Sequence, residues 1–401
     1  MGPDQRAQLD GFSLFLPFPY RVAVILVAGF WGWGANLQYL SQSNIDLPAL
    51  IRYPARQTAN QPSHHTSTYR LATLLTVPLL LSLVLFWALT HGSAERVESL
   101  DFIPQSYLFV FLILLILPIN RLSRSGRSRF LTTLRRISVG GLAEAQDGKF
   151  GDVLLADALT SYAKVLGDLY VTFCMFFSSD MSSTSKPNRT CGNDYIVPLL
   201  IAVPSIIRLR QCLTEFVRVR RASQKGESKG GQHLANALKY ATAFPVIFLA
   251  AKLRNYNPSD FYWLSEMSIS RLLAFSMFVN SAYSFYWDLS KDWDLTLFTS
   301  AREAADYPYG LRRHRFFSDR LYYIAIIVDF VIRFSWVSRL VPGLTWLSEK
   351  ECGLFLLMSL EVARRWLWVF FRAEAEMIRN SRGPAPDDIL LGDFSGKLDA
   401  D

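Results

Sequence analysis

Three long stretches of this chain carry no formal charge. From Val22 to Ile45, from Leu71 to Ser93 and from Phe102 to Asn120 there is no Asp, Glu, Lys or Arg. A bilayer core of roughly 30 Å requires about 20 mostly apolar residues in helical form, and each stretch meets that length. A surface helix of a soluble protein would show a polar stripe every three to four residues; these stretches show none. The rest of the composition agrees. Half of the 401 residues are apolar (51%), and 19% are charged, against roughly 25% in an ordinary soluble domain. The sequence therefore excludes a disordered chain and argues against a soluble enzyme.

Six further apolar segments follow, near residues 153–177, 194–208, 235–253, 266–287, 320–341 and 352–371. The expected fold class is all-α, a polytopic transmembrane helical bundle of about nine spans, eight to ten. Arg and Lys concentrate in 121–149, 208–233 and 302–320, which places these loops in the cytosol by the positive-inside rule. Nine spans put all three on one side together with the C-terminus. The alternating loops 91–103, 178–193, 254–265 and 342–351 are poor in Arg and Lys and fall on the lumenal side, as does the N-terminus. One sequon, Asn188-Arg189-Thr190, lies in such a lumenal loop, so Asn188 is a candidate N-glycosylation site. The fifth span is short and bounded by Pro198 and Pro204, open to a broken or re-entrant form. Asp4, Arg6 and Asp10 do not form the basic start of a cleavable signal, so the first span is expected to serve as its own insertion signal. The expected domains are three N-terminal transmembrane helices (1–120), a basic cytoplasmic loop (121–149), a second transmembrane unit (150–380) and a disordered acidic tail (381–401).

Reaction motifs are missing. The four cysteines, Cys174, Cys191, Cys212 and Cys352, are dispersed, with no CxxC pair, and suggest neither a disulfide scaffold nor a zinc site. No HExxH, GxSxG, Walker loop or GxGxxG occurs, so no catalytic residue, metal or cofactor is expected and the chain is read as not an enzyme. Basic and aromatic residues sit in the membrane rather than on a soluble face, which argues against nucleic acid. The basic loops are explained by topology and by anionic lipid.

What the later spans do carry is charge where charge is costly. Asp157, Lys239, Asp288, Asp292, Asp329, Arg333, Glu361, Arg364 and Arg365 all lie within or at the ends of apolar segments. An ion at the bilayer centre costs about 2.5–3.5 kcal/mol on insertion scales, so these groups must face each other or a water-filled cavity. Asp329 and Arg333 are i,i+4; they are either a self-neutralised pair or part of a site that leaves Arg333 beside Trp336 facing a ligand. Glu361 reaches Arg364 or Arg365 but cannot neutralise both, so one guanidinium is left over and needs an anion. Asp288 and Asp292 are either a solvated helix end or a pair that orients arginines. Lys239 either snorkels to the interface or faces the cavity. Arginine offers a planar fork of donors suited to carboxylate and phosphate oxygens, so the set points to a compact oxyanion. A Na⁺ or Ca²⁺ site would need acids in excess.

Beyond this reading, three motifs resemble the EXS domain of eukaryotic phosphate exporters. They are Tyr286-Trp287-Asp288-Leu289-Ser290-Lys291-Asp292-Trp293, Asp329-Phe330-Val331-Ile332-Arg333-Phe334-Ser335-Trp336, and Leu360-Glu361-Val362-Ala363-Arg364-Arg365-Trp366 through Phe370-Phe371-Arg372. Phe150-Gly151-Asp152 with Leu155-Ala156-Asp157, Arg208 to Leu213, and Lys239-Tyr240-Ala241-Thr242 look like earlier motifs of the same domain, in the same order. The resemblance covers about residues 150–380. It implies a phosphate path lined by Asp157, Lys239, Tyr240, Asp288, Asp292, Arg333, Trp336, Arg364 and Arg365. Thr160 stands where the family often has Asn, though a hydroxyl can still donate. The first span begins near residue 20, which implies that the family's SPX sensor domain is absent. The short N-terminus and Trp31-Gly32-Trp33-Gly34-Ala35-Asn36 look like the fungal ER-retention-defective subgroup. That likeness implies a Golgi membrane location, with the endoplasmic reticulum membrane as the alternative. It also implies return of lumenal phosphate to the cytosol and support for retention of glycosyltransferases and lumenal ER proteins. The partners implied are inorganic phosphate, the lipid bilayer, a cytoplasmic glycosyltransferase-recycling factor and a second copy in a homodimer. The competing reading is a membrane adaptor for enzyme recycling that moves no ion.

Overall fold

The computed structural model describes residues 9–53, 63–117, 124–144, 147–178, 181–222, 230–257, 265–305 and 307–381. Among these the chain is helical, with no strand. The helices are α1 (Gly11–Phe15), α2 (Phe18–Gln42), α3 (Leu47–Leu50), α4 (His64–Thr90), α5 (Ala94–Ser99), α6 (Phe102–Ile116), α7 (Arg124–Arg135) and α8 (Lys149–Ser161). They continue with α9 (Ala163–Phe176), α10 (Ile196–Ala222), α11 (Gly231–Ala241), α12 (Ala243–Arg254), α13 (Glu266–Trp287), α14 (Asp319–Arg333), α15 (Trp346–Glu349) and α16 (Glu351–Ser381). The acidic tail expected from residue 381 lies outside the described residues from 382 onward.

Among the described residues, five segments are long and apolar enough to cross a membrane: Phe18–Gln42, His64–Thr90, Ala94–Ile116, Ile196–Ala222 and Gly231–Arg254. The count of nine is therefore not confirmed. The other four expected segments do hold helices, but α8 and α9 break at Tyr162, α14 is 15 residues long, and α16 carries several ions in its middle. α14 shows how such a helix can still suit lipid. Leu321, Ile324, Ile327 and Val331 form an exposed apolar stripe, while Tyr322, Ala325 and Asp329 on the opposite face are buried. Apolar outside and ionic inside is the reverse of a soluble helix.

The long α2 packs against α4, α9 and α16. Its glycines allow this closeness. A Cβ at Gly32 would fall 2.7 Å from the Trp366 ring, and one at Gly34 2.6 Å from Tyr69, so the Trp-Gly-Trp-Gly segment is a packing surface. α10 is one continuous helix through Pro204 rather than a broken or re-entrant one. It runs fourteen positions beyond residue 208, where the sequence reading ended the span. Cys174 and Cys191 are joined by a disulfide. Four dispersed cysteines suggest no disulfide scaffold, and no local pattern marks this pair; the fold brings the two together across the turn after α9. That bond suits an oxidising compartment.

Candidate functional site

The costly charges converge from five helices. Asp157 projects from α8, Lys239 and Tyr240 from α11, Asp329 and Arg333 from α14, and Glu361, Arg364 and Arg365 from α16; Asp288 and Asp292 sit on a π-helical turn that extends α13. π turns insert one extra residue per turn and recur at functional sites.

At one end of the cluster, Asp157 Oδ1 accepts from Arg208 Nε at 2.8 Å and from the Tyr240 hydroxyl. Arg208 Nε also donates to Tyr240 Oη at 3.1 Å, and its Nη1 donates to Gln211 Oε1 at 2.5 Å. In the middle, Lys239 Nζ lies 3.8 Å from Asp288 Oδ1 and 3.5 Å from Asp292 Oδ2. It also stands 4.8 Å over the Tyr240 ring and 5.7 Å from that of Trp287, within cation–π range. Lys239 is buried and does not snorkel, and Asp288 is fully buried rather than a solvated helix end.

At the other end two arginines share two aspartates. Arg333 Nε donates to Asp329 Oδ2 at 3.1 Å and Arg333 Nη2 to Asp288 Oδ2. Arg364 Nη1 reaches Asp329 Oδ1 at 2.7 Å and Asp288 Oδ2 at 3.4 Å. Its other edge forms a two-bond fork with Glu361, 3.0 Å from Nε to Oε2 and 2.6 Å from Nη2 to Oε1. Asp329 and Arg333 are thus an ion pair, but one built into a larger network.

Arg365 is different. Adjacent residues on a helix diverge by about 100°, and this guanidinium turns toward α8. Its Nε donates to Ser161 Oγ at 3.1 Å, its Nη2 to Thr160 Oγ1 at 3.4 Å, and it stacks on Trp368 at 4.5 Å. Among the described residues no carboxylate lies within 4.0 Å of it, although it is 6% exposed. Glu361 is committed to Arg364 and takes a further hydrogen bond from Ser161 Oγ at 3.0 Å. Thr160 and Ser161 thus place hydroxyls at a buried, unneutralised cation.

Two expected residues stand apart. Trp336 is half-buried; its Nε1 donates to Ser281 Oγ at 3.1 Å, and Ser281 donates to the Arg333 carbonyl at 3.0 Å. It borders the network without joining it. Asn188 lies in the disulfide-closed loop after α9, where its Oδ1 accepts from Thr190 N at 3.1 Å and Thr190 Oγ1 at 2.7 Å.

Arg208 and Arg372 also reach the network, at Asp157 and Asp292. Arg208 had been placed at the start of a cytoplasmic loop; α10 carries it into the interior, 3% exposed. Its place in the Arg208–Leu213 motif was the only signal for it. With Arg208 counted, Arg208, Lys239, Arg333, Arg364 and Arg365 face Asp157, Asp288, Asp292, Asp329 and Glu361. Arg372 Nε also reaches Asp292 Oδ1 at 3.8 Å and pairs with Glu376 at 2.8 Å, so the pairing is uneven and leaves Arg365 without a carboxylate among the described residues.

Comparison with known proteins gives a consistent picture. The EXS family matches residues 16–378. Protein ERD1 homolog 1 of Schizosaccharomyces pombe is 32% identical over 375 residues, covering 92% of this chain and 92% of that protein. Protein ERD1 of Saccharomyces cerevisiae is 26% identical, covering 90% of this chain and 93% of that protein. Phosphate transporter PHO1 of Arabidopsis thaliana is 24% identical over 90% of this chain and 43% of its own length. With a match of that extent laid over the ionic network and its helices, the chain belongs to the EXS family of membrane proteins.

Proposed function

We propose that this protein moves inorganic phosphate across the Golgi membrane, from lumen to cytosol, through the ionic network described above. In this reading glycosylation leaves phosphate in the lumen, and the network is the selective part of its exit path. The single observation that carries the reading is Arg365. A buried guanidinium with no carboxylate within 4.0 Å among the described residues is held there by hydroxyls and an indole face, in a membrane domain where an uncompensated ion is costly. A phosphate oxyanion would supply the missing charge and match the planar fork. Arg333 adds a second free edge, because its Nη1 donates to no acceptor among the described residues. A relative over most of this chain bears the name phosphate transporter.

The competing adaptor reading needs cytoplasmic basic residues free to bind a recycling factor. Several are engaged internally instead. Arg136 pairs with Asp152, Arg210 donates to the carbonyls of Ile137 and Ser138, and Arg218 donates to that of Leu142. Support for enzyme retention remains compatible with transport as its consequence. The topology that goes with this proposal has nine spans, cytoplasmic basic loops and a lumenal Asn188.

The deciding experiment is phosphate flux into proteoliposomes containing the purified protein. Saturable uptake of labelled phosphate, well above that of empty vesicles, is expected. Uptake equal to that of empty vesicles on both sides of the bilayer would overturn transport.

A further inference from the structure

A cavity of about 330 Å³ lies between the end of α6 and α7, away from the ionic network. Its walls differ in chemistry. Ile116 and Leu117 form one side, and Arg127, Ser128, Thr132 and Arg135 of α7 form the other. Positions 127, 131 and 135 recur every four residues, with 128 and 132 beside them, so a single face of α7 lines the space. Arg127 holds the two helices together. It is 4% exposed, and its Nη1 donates to the carbonyls of Leu114 and Leu117 at the end of α6. The last carbonyls of a helix lack intrahelical donors and carry the negative end of its dipole, so this arginine is occupied in closing the corner.

The charge on this side has no local counter-charge. Residues 118–143 contain six arginines and no Asp or Glu. Arg129 donates to the Arg52 carbonyl at 2.8 Å and stacks on Tyr53, and Arg136 pairs with Asp152. Arg135 lines the cavity, is exposed, and makes no ion pair or side-chain hydrogen bond among the described residues. The positive-inside bias explains why arginines gather here; it does not require one of them to share a cavity with apolar side chains. Those side chains set the depth. Ala94–Ile116 is long and apolar enough to cross a membrane, so its end lies where acyl chains give way to headgroups. Val110, Ile113 and Ile116 are 47%, 51% and 69% exposed. They make an apolar track along α6 that leads into the cavity. A soluble anion has no use for such a track, and a lipid chain does.

We propose that the cavity between α6 and α7 holds the headgroup of an anionic phospholipid of the cytosolic leaflet. Arg135 meets the headgroup phosphate with its planar fork, the Ser128 and Thr132 hydroxyls donate to the remaining oxygens, and an acyl chain lies along Ile116 and Ile113. A zwitterionic headgroup fits less well, because its ammonium would stand among arginines. The leaflet is taken from the topology proposed above; the chemistry of the site depends neither on that topology nor on phosphate transport. Free inorganic phosphate shares the headgroup chemistry, and the apolar track favours the lipid. Occupancy has a structural consequence. Arg135 is followed by Arg136, which holds Asp152 on α8, the helix that also carries Asp157. A lipid that fixes the end of α7 therefore braces α8 and stabilises the folded chain by mass action.

Two measurements on the purified full chain in nonionic detergent test it, with phosphatidylserine, phosphatidylcholine and inorganic phosphate as probes. In thermal melts, phosphatidylserine should raise the midpoint several degrees above that reached with the same fraction of phosphatidylcholine. In native mass spectra the chain should retain phosphatidylserine. The double variant Thr132→Ala with Arg135→Gln changes only exposed side chains, so its midpoint in phosphatidylcholine should match the wild type. It should lose most of the gain from phosphatidylserine and retain one molecule of it fewer. Arg96→Gln removes an exposed arginine from α5 and should keep both. Equal midpoints in the two lipids, an undiminished gain in the double variant, or an equal loss in Arg96→Gln overturns the site. A gain reproduced by inorganic phosphate alone assigns the cavity to a free anion and overturns the lipid. No readout involves flux, so a protein that carries no phosphate in proteoliposomes would defeat the transport reading and leave this test to decide the lipid site.

Discussion

Arg365 lies one helical turn from Glu361 on α16, and the two are not paired. Such i,i+4 neighbours ordinarily meet on a helix face, but here both Glu361 oxygens are held by Arg364, at 3.0 and 2.6 Å. Ser161 stands between them, donating to Glu361 at 3.0 Å and accepting from Arg365 Nε at 3.1 Å. The polarity of that hydroxyl is fixed by its two partners. Arg365 is thereby kept oriented while its charge remains available. The adjacent arginines consequently differ: Arg364 ties α14, α16 and the π turn together, and Arg365 is left without a carboxylate among the described residues.

This division predicts different consequences for the two residues. Arg364→Ala strands Glu361 and weakens the hold on Asp329, and breaking a buried ion pair from one side costs about 3–5 kcal/mol. Its melting temperature in detergent should fall by several degrees or more. Arg365→Gln removes a cation that has no carboxylate, so stability should be unchanged or slightly higher, while phosphate flux falls on the order of tenfold or more. Arg365→Lys should rescue little, because an ammonium loses the fork and the stacking on Trp368. Thermal melts and flux on the same preparations check this. A strongly destabilised Arg365→Gln that still transports would reverse the assignment.

Much of this could be read from the sequence because membranes make charge expensive. Asp157, Lys239, Asp288, Asp292, Arg333, Arg364 and Arg365 were picked out by cost, and all reach the network. The leftover guanidinium was also foreseeable, since one Glu361 cannot satisfy two arginines. Which arginine is left over was not, because it depends on the rotation of α16 against α8. Arg208 escaped because a helix end bounded by prolines looked like a span end, whereas Pro204 is accommodated within α10. Cys174 and Cys191 are 17 residues apart, and no local pattern marks a pair that only the turn after α9 brings together. The breaks at Tyr162 and Thr242 leave no clear signal either, since neither residue is Pro or Gly.

The disulfide gives a chemical test of sidedness. In membranes denatured in a first alkylating reagent, two cysteines per chain, Cys212 and Cys352, should carry that reagent, and reduction should then release two more, Cys174 and Cys191, for a second reagent. Mass spectrometry after differential alkylation reads the count. Replacing Cys174 and Cys191 by Ser should lower stability by about 3 kcal/mol, the loop-closure value for a separation of this size. Four reactive thiols without reduction would place the α9 turn in a reducing compartment.

Topology can be checked independently. Epitopes inserted after residue 225 and at the C-terminus should be digested by protease added to sealed Golgi vesicles. An epitope beside Asn188 should be protected until detergent is added. The asymmetric distribution of Arg and Lys among the loops motivates this. Protection of either of the first two would rule out the nine-span arrangement with its basic loops in the cytosol.

The last test separates neutralisation from recognition at Arg333. In the double variant Asp329→Asn with Arg333→Gln, one charge of each sign is lost, so the net charge of the network is unchanged. Asp288 keeps Lys239 at 3.8 Å and Arg364 at 3.4 Å, and the new amide oxygen can still accept from Arg364 Nη1. The double variant should therefore fold with a stability change of only about 1 kcal/mol, the range of ordinary substitutions. The single variant Arg333→Gln should also be milder than for an isolated pair, because Asp329 retains Arg364 at 2.7 Å. If Arg333 served only to neutralise Asp329, the double variant would transport normally. The expected result is the opposite, a loss of flux on the order of tenfold in both variants with little change in melting temperature. The reason is geometric: Nε and Nη2 of Arg333 are taken by Asp329 and Asp288, while Nη1 has no protein acceptor among the described residues and can donate to an arriving phosphate oxygen. Full flux in the double variant would remove Arg333 from the phosphate path.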